Sequence, residues 1–240
     1  MLVEDIAALA ALRLGRAVKL ELTRKEQFAA TTTRHPMRVT ARLGATRDGV
    51  LTAVQVDAVA DAGAYGNHSA AVLEHSCAEL MHLYRCADTQ VDGVAAYTNT
   101  VPSGAFRGYG LGQTLFALEQ AVDKLAHGLG LNPVAFRRRN MVRPGDSLGA
   151  LDDIEFGSYG LDQCLDLVEG ALAADPGPPA PEGTEWCVGQ GVAMAMLATS
   201  PPFGHRAESR LFLAADGGFD LHVGTAEFGN GTSTTHCQAA

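Results

Sequence analysis

The segment best suited to chemistry is a glycine-rich loop at residues 102–113, which contains Gly104, Gly108, Gly110 and Gly112. Glycine is unfavourable to order and is used where the backbone takes left-handed conformations or approaches another group closely. Such a loop can present N–H groups to an anion, and Arg107 adds a fixed positive charge suited to phosphate or an oxyanion. A simple turn with a solvated arginine explains the composition equally well, so the glycines alone leave both interpretations open.

A second glycine-bracketed loop spans residues 224–232, between a predicted strand and a predicted helix. Unpaired N–H groups at the start of a helix favour anions. The alternative is that Asn230 or Thr232 only caps the helix.

His75 follows Glu74 on a predicted helix. It could bind a substrate because imidazole titrates near neutral pH, although a structural histidine is the simpler alternative. The remaining histidines lack metal-ligand spacing, and the chain has no G-x-S-x-G elbow and no Walker or Rossmann fingerprint after a strand. Serine hydrolases and nucleotide-binding folds are therefore not supported.

Composition excludes several further classes. The formal charge of −9 argues against nucleic-acid or anionic-membrane partners, and no apolar run approaches the roughly twenty residues of a membrane span. Five cysteines without C-x-x-C spacing argue against a disulfide framework, a zinc ribbon or an iron–sulfur cluster. We expect reduced thiols and a cytoplasmic location.

Hydrophobic periodicity predicts the elements that carry these loops. Helices are predicted over residues 3–14, 69–84 and 161–173, and strands over 17–22 and 89–97. Runs at 38–47 and 50–60 flank Asp48-Gly49 as a hairpin. The strongest helix signal is an apolar stripe that ends at Gly130, made of Leu115, Leu118, Val122, Leu125 and Leu129. Asn132-Pro133 predicts a short helix through Asn140.

The proline-rich segment 175–183 predicts a domain boundary. Beyond it we predict a strand at 188–198 and a hairpin formed by 208–214 and 219–224. Hairpins and helices in separate blocks, without alternating βαβ units, indicate an α+β fold. The predicted division is a domain at 1–174, a linker at 175–183 and a second domain at 184–240. Both termini lie inside predicted helices, so the sequence is expected to be a fragment of a longer chain.

These motifs, taken together, resemble the xanthine dehydrogenase/aldehyde oxidase family, in its molybdopterin-binding large subunit. The resemblance covers essentially the whole chain and rests on ordered segments at 18–26, 34–36, 104–110, 119–126, 132–133, 138–142 and 227–231. It implies parts of two molybdenum-cofactor-binding domains. The implied reaction oxidises an aldehyde or N-heteroaromatic C–H with water. The implied cofactor is molybdenum-molybdopterin, in its plain or cytosine-dinucleotide form, with FAD and [2Fe–2S] on partner domains or subunits.

Carried over by position, the resemblance assigns the cofactor to Phe106, Arg107 and Gly108 and to Phe228, Gly229 and Asn230. It assigns the substrate pocket to His75, Tyr109 and Phe203. No residue is expected to ligate the metal directly or to be catalytic, because the general-base glutamate of the family is expected beyond Ala240.

Departures from the family pattern limit these expectations. The glycine-rich loop expected before Met1 is absent, so the 240 residues alone are expected to be inactive. His75 stands where purine-oxidising members carry arginine, and Tyr109 stands where phenylalanine is usual, which leaves the substrate open. The alternative is a non-catalytic small-anion-binding or assembly module derived from the family.

Overall fold

The computed structural model describes residues 2–146, 156, 158–175, 177–183, 185–197, 206–227 and 229–240. The chain forms two compact units, Met1–Leu197 and Ala198–Ala240. Phe203 and Phe228, both predicted site residues, lie outside the described residues.

A three-stranded sheet organises the first unit, with β1 (Met37–Ala45), β2 (Leu51–Gly63) and β3 (Asp88–Tyr97) in the order β1-β2-β3. β1 and β2 form the predicted antiparallel hairpin, and Gly49 in its turn has a φ of 86°. β2 and β3 are parallel and are joined by α3 (Ser69–Leu80). The α+β class is confirmed, but this one βαβ unit departs from the expectation that strands and helices would not alternate.

The βαβ unit forms because β2 is buried on the face that meets α3. Ala58 and Ala60 lie in one small core cluster with Leu73 and Cys77 of α3. Gly93 of β3 leaves room for them, since a Cβ there would lie 3.2 Å from the Leu73 side chain. Small residues on the strands therefore let the helix approach the sheet closely.

The main core lies between the sheet and α4 (Leu111–Gly128). The predicted apolar stripe is confirmed, with Leu115, Leu118 and Val122 buried and Leu125 and Leu129 packed at its margin. Since α4 begins directly after the glycine-rich loop, the packing of this stripe fixes one end of the loop.

The other helices of the first unit are α1 (Leu2–Leu14), α2 (Arg24–Ala30), α5 (Pro133–Asn140) and α6 (Leu161–Ala174). The periodicity analysis missed α2, which begins at a capping box between Thr23 and Glu26. Asn132 caps α5 as predicted, accepting hydrogen bonds from two backbone N–H groups. The strand predicted at 17–22 is wrong: the segment is irregular, because none of the strands that the structure describes pairs with its backbone groups.

A buried ion pair joins α4 to α5. Arg137 is 0% exposed and Glu119 is 4% exposed. The Arg137 Nε lies 2.8 Å from Glu119 Oε2, and its Nη1 lies 2.6 Å from Asp123 Oδ1. The Tyr84 hydroxyl donates to Glu119 Oε1 at 2.5 Å, and the Met194 N–H donates to Glu119 Oε2 at 2.9 Å. Burial by itself would lower the pKa of Arg137, but the Glu119 carboxylate and the other acceptors around the guanidinium outweigh it, and the pKa is raised.

Residues 175 and 177–183 contain no helix or strand, and the strand predicted at 188–198 is absent from the described part, 188–197. Instead this stretch is irregular, and its buried Met194 belongs to the main core of the first unit. The backbone groups that a strand would pair with a neighbour are here partly satisfied by side chains, as at Glu119. The domain division at 175–183 stays a prediction.

The second unit contains the predicted antiparallel hairpin, β4 (Ser209–Leu213) and β5 (Phe219–Val223), followed by α7 (Thr232–Ala239). Among the described residues, no helix combines the length and the apolar character needed to cross a membrane.

Candidate functional site

The glycine-rich loop begins where β3 ends and is tied to the end of β2 and to residue 33. The Ser103 N–H donates to Ala62 O at 3.1 Å. Thr33 holds the loop through two backbone hydrogen bonds (Gly104 N–H to Thr33 O, 3.0 Å; Thr33 N–H to Pro102 O, 3.1 Å). A Cβ at Gly104 would lie 2.8 Å from Thr32 Cβ, an atom that cannot swing away, so this position favours glycine. The start of the loop is therefore held firmly against the sheet.

Three consecutive residues of the loop are left-handed: Gly108 (φ 93°), Tyr109 (φ 46°) and Gly110 (φ 91°). A positive φ is uncommon at an aromatic residue, and such outliers concentrate at functional sites. Gly110 also packs against α3, since a Cβ there would lie 2.8 Å from Ser76 Cβ and 2.9 Å from Val72 O. The turn at residues 108–110 therefore packs against α3, and the Tyr109 side chain projects from it.

Backbone donors of the loop are available for a ligand. Within the part of the chain that the structure describes, the N–H groups of Phe106, Gly108 and Gly112 donate to no protein acceptor. Gly112 lies in the first turn of α4, where the helix dipole adds positive potential. Arg107 stands exposed between Phe106 and Gly108. The arrangement fits an anionic group rich in oxygen.

Arg34 holds the glycine-rich loop in place. The sequence alone did not predict a residue for this role. Its Nη2 donates to Arg107 O at 3.0 Å and its Nη1 donates to Gln113 Oε1 at 3.2 Å. Its guanidinium carbon lies 4.0 Å from the centroid of the Phe106 ring. The only signal in the sequence was that segment 34–36 contributed to the family resemblance.

Tyr109 and His75, two of the three predicted substrate-pocket residues, are in contact. Their rings meet edge to face with centroids 5.3 Å apart. The His75 Nδ1 is buried and has no hydrogen-bond partner among the described residues, and its Nε2 lies 3.9 Å from Glu79 Oε1. His68, which sequence reasoning did not single out as a site residue, lies with its Nδ1 3.3 Å from the Tyr109 hydroxyl. The cluster offers both apolar ring surface and polar atoms.

His35 contacts both α3 and the glycine-rich loop. Its Nε2 lies 2.7 Å from the Ser69 Oγ at the start of α3, and its carbonyl accepts from Gln113 Nε2 at 3.3 Å. Burial lowers the pKa of this imidazole, while the nearby Asp61 acts in the opposite direction. His35 is thus a buried connector between α3 and the loop.

In the second glycine-bracketed loop, which lies in the second unit, the Glu227 carboxylate accepts the backbone hydrogen bonds that a ligand was expected to accept. Glu227 accepts from the Gly229 N–H at 2.6 Å, the Ser233 N–H at 2.9 Å and the Gly231 N–H at 3.4 Å. These hydrogen bonds lower the pKa of Glu227. Asn230 is exposed, and its Oδ1 accepts from the Thr232 N–H at 3.4 Å. The side chain of Asn230, more than the backbone of this loop, is therefore available for a ligand.

A separate open groove of about 940 Å³ lies between α3 and β3 and is lined by residues such as Leu73, Cys77, Met81 and Val91. None of the predicted site residues that the structure describes lines it. No cluster of three or more metal-ligating side chains occurs within the described ranges.

Comparison with known proteins places the chain in a family. Residues 1–141 match the model of the molybdopterin cofactor-binding domain. The chain is 35% identical over 244 residues to the probable hypoxanthine oxidase XdhD of Escherichia coli (strain K12), covering 98% of this chain and 25% of that protein. It is 32% identical over 244 residues to the xanthine dehydrogenase molybdenum-binding subunit of Escherichia coli O157:H7, covering 99% of this chain and 32% of that protein.

The fold agrees with these matches. The aldehyde oxidoreductase from Desulfovibrio gigas superposes with a TM-score of 0.70 and 27% identity, over 91% of this chain and 24% of that one. The chain thus spans about a quarter to a third of the length of these relatives. The resemblance drawn from the motifs is confirmed, and the chain belongs to the molybdopterin cofactor-binding domain family.

Proposed function

We propose that the full-length gene product is a molybdenum hydroxylase of the xanthine dehydrogenase/aldehyde oxidase type. It oxidises an aldehyde or N-heteroaromatic C–H with water and passes electrons to iron–sulfur and FAD partners. The observation that carries this proposal is the loop at residues 106–112, where unpaired backbone N–H groups flank Arg107 at the start of a helix.

Phe106, Arg107 and Gly108 are proposed to hold the cofactor from one side. The N–H groups of Phe106 and Gly108 donate to its oxygens, and Arg107 balances its negative charge. The absence of a side chain at Gly108 keeps the approach open, because a Cβ there would touch nothing in the protein. When bound, molybdenum-molybdopterin supplies the oxidation chemistry, and the protein orients it and excludes competing reactions.

Phe228, Gly229 and Asn230 are proposed to hold the cofactor from the second loop. Glu227 occupies the backbone donors of that loop, so the Asn230 amide makes the contact with the ligand. Glu227 then serves to fix the shape of the loop. The domains are proposed to span residues 1–174 and 184–240, joined by the linker 175–183.

The substrate is proposed to bind beside Tyr109 and His75, with Phe203 as a further wall. The Tyr109 ring offers a stacking surface, and the His75 side chain beside it is 29% exposed. Neither side chain offers the charged, forked donor group of an arginine, which favours aldehydes and non-purine N-heteroaromatics over xanthine. A cytoplasmic location is part of the proposal.

Elemental analysis of the purified full-length gene product tests this function. We expect stoichiometric molybdenum in the wild type and a sharp loss in Arg107→Ala. Arg38→Ala, which removes an exposed arginine from β1, is the matched control and should keep the metal. Molybdenum unchanged in Arg107→Ala would refute the role of the loop. A wild type without molybdenum that binds a small anion would favour the non-catalytic module instead.

A further inference from the structure

Arg34 makes three side-chain contacts within the described part of the chain, and all three are to the segment 106–113. The guanidinium donates to the Arg107 carbonyl and to the Gln113 side chain and lies over the Phe106 ring. The carbonyl and the ring belong to two of the three residues of this loop that are proposed to hold the cofactor. Gln113 lies in the first turn of α4, so the arginine bridges the loop and the helix that follows it.

Of the amino-acid side chains, only the guanidinium group of arginine can make these three contacts together. Its planar fork reaches two acceptors at once, and its face stacks on an aromatic ring. Lysine has a single compact ammonium group and cannot combine these contacts. Gln113 is itself fixed, because its Nε2 donates to the carbonyl of buried His35 at 3.3 Å. The Arg34 fork is therefore anchored at one end to a part of the fold that does not depend on the loop.

The contacts also account for the shape of the loop. Phe106 is 52% exposed, so burial alone does not fix its ring. Accepting a hydrogen bond at the Arg107 carbonyl orients the peptide that links Arg107 to Gly108, and so sets the direction of the Gly108 N–H. The other backbone hydrogen bonds that the described residues give to the segment 106–108 are those of the turn, from the Tyr109 N–H to Phe106 O and from the Leu111 N–H to Gly108 O.

We propose that Arg34 is the positioning residue of the glycine-rich loop, which holds the Phe106 ring and the Gly108 N–H in their ligand-binding orientation without itself touching the ligand. This inference rests on the proposed function, since it assigns to Arg34 the arrangement of residues proposed to hold the cofactor.

Hydrogen exchange and molybdenum content, measured together on the full-length gene product, test this inference. In Arg34→Met we expect the hydrogen-bonded amides of Tyr109, Leu111 and Gln113 to exchange roughly tenfold faster, the change that follows from losing about 1.4 kcal/mol of local stabilisation. The amides of the β1–β2 hairpin should keep their rates. Molybdenum content should fall. Arg34→Lys should recover part of both effects, and Arg38→Met should produce neither.

Gln113→Met is a second, milder variant, since it removes one arm of the clamp and leaves the contacts to Phe106 and Arg107. It should speed loop exchange less than Arg34→Met does. Unchanged exchange at 105–113 in both variants would overturn the inference, and so would a loosened loop that retains the wild-type molybdenum content. If the proposed function itself is wrong, the wild-type protein will contain no molybdenum, which distinguishes this outcome from failure of the Arg34 inference.

Discussion

The buried ion pair between Arg137 and Glu119 gives the sharpest prediction on stability. Replacing Arg137 by methionine preserves much of the apolar volume but leaves the Glu119 carboxylate, 4% exposed, without its counter-charge. Breaking one partner of a buried pair typically destabilises by about 3–5 kcal/mol. Glu119 keeps hydrogen bonds from Tyr84 and Met194, so we expect a loss near the lower end, about 3 kcal/mol.

That loss is a large part of the roughly 5–15 kcal/mol that separates folded from unfolded domains. Urea unfolding of the chain, monitored by circular dichroism, measures it as a lower midpoint. The matched control is Arg138→Met, because Arg138 lies in the same helix and pairs with Asp166 and Glu169 at the surface. An exposed pair contributes about 0–1 kcal/mol, so this control should change little.

The double variant Arg137→Met/Glu119→Leu separates the two causes. It removes the stranded carboxylate and should recover stability relative to Arg137→Met alone, since a buried pair replaced by apolar side chains is often neutral. Two results would refute the reasoning: an Arg137→Met chain within about 1 kcal/mol of the wild type, or a double variant less stable than the single one.

Three further predictions follow from individual positions. Gly110→Ala should destabilise the chain by about 1–3 kcal/mol in urea unfolding, because the φ is positive and the new Cβ would lie 2.8 Å from Ser76 Cβ; Gly112→Ala, with nothing within 4 Å, should be near neutral. The pKa of Glu227 is lowered in the folded chain, so its hydrogen bonds stabilise the second loop fully above the ordinary carboxyl pKa of about 4.5. This stabilisation is lost as the pH falls through the lowered pKa of the folded state. Amide protection at residues 229–233 should therefore decrease in acid, and a Glu227→Gln chain that keeps the same pH dependence would contradict this. In a substrate screen, the full-length gene product should prefer aldehydes or non-purine N-heteroaromatics to purines, and rapid xanthine turnover would show that the interpretation of His75 is wrong.

Local patterns were sufficient for most elements of the fold. The stripe on α4, the Asn132 cap and both hairpins are encoded within a dozen residues each, and all appear in the structure. The parallel pairing of β2 with β3 was missed because it joins strands separated by a helix, and no local signal records such a contact. The strand predicted at 17–22 failed for the converse reason, since a favourable composition cannot form a strand without a partner.

The site divides in the same way. The resemblance named Tyr109 and His75 in the substrate pocket, and their contact across 34 positions of sequence emerged only in three dimensions. Arg34 escaped notice because an arginine 73 residues from its acceptor carries no spacing signal. The hydrogen bonds from backbone N–H groups of the second loop to the Glu227 carboxylate were also unexpected. The sequence shows that Glu227 lies near glycines, but it does not show the direction of the carboxylate.

The most direct test of the account is an experimental structure of the full-length gene product with its cofactor. We predict that the N–H groups of Phe106 and Gly108 lie within about 3.2 Å of cofactor oxygens. A cofactor whose oxygens lie away from both N–H groups would contradict the proposed function.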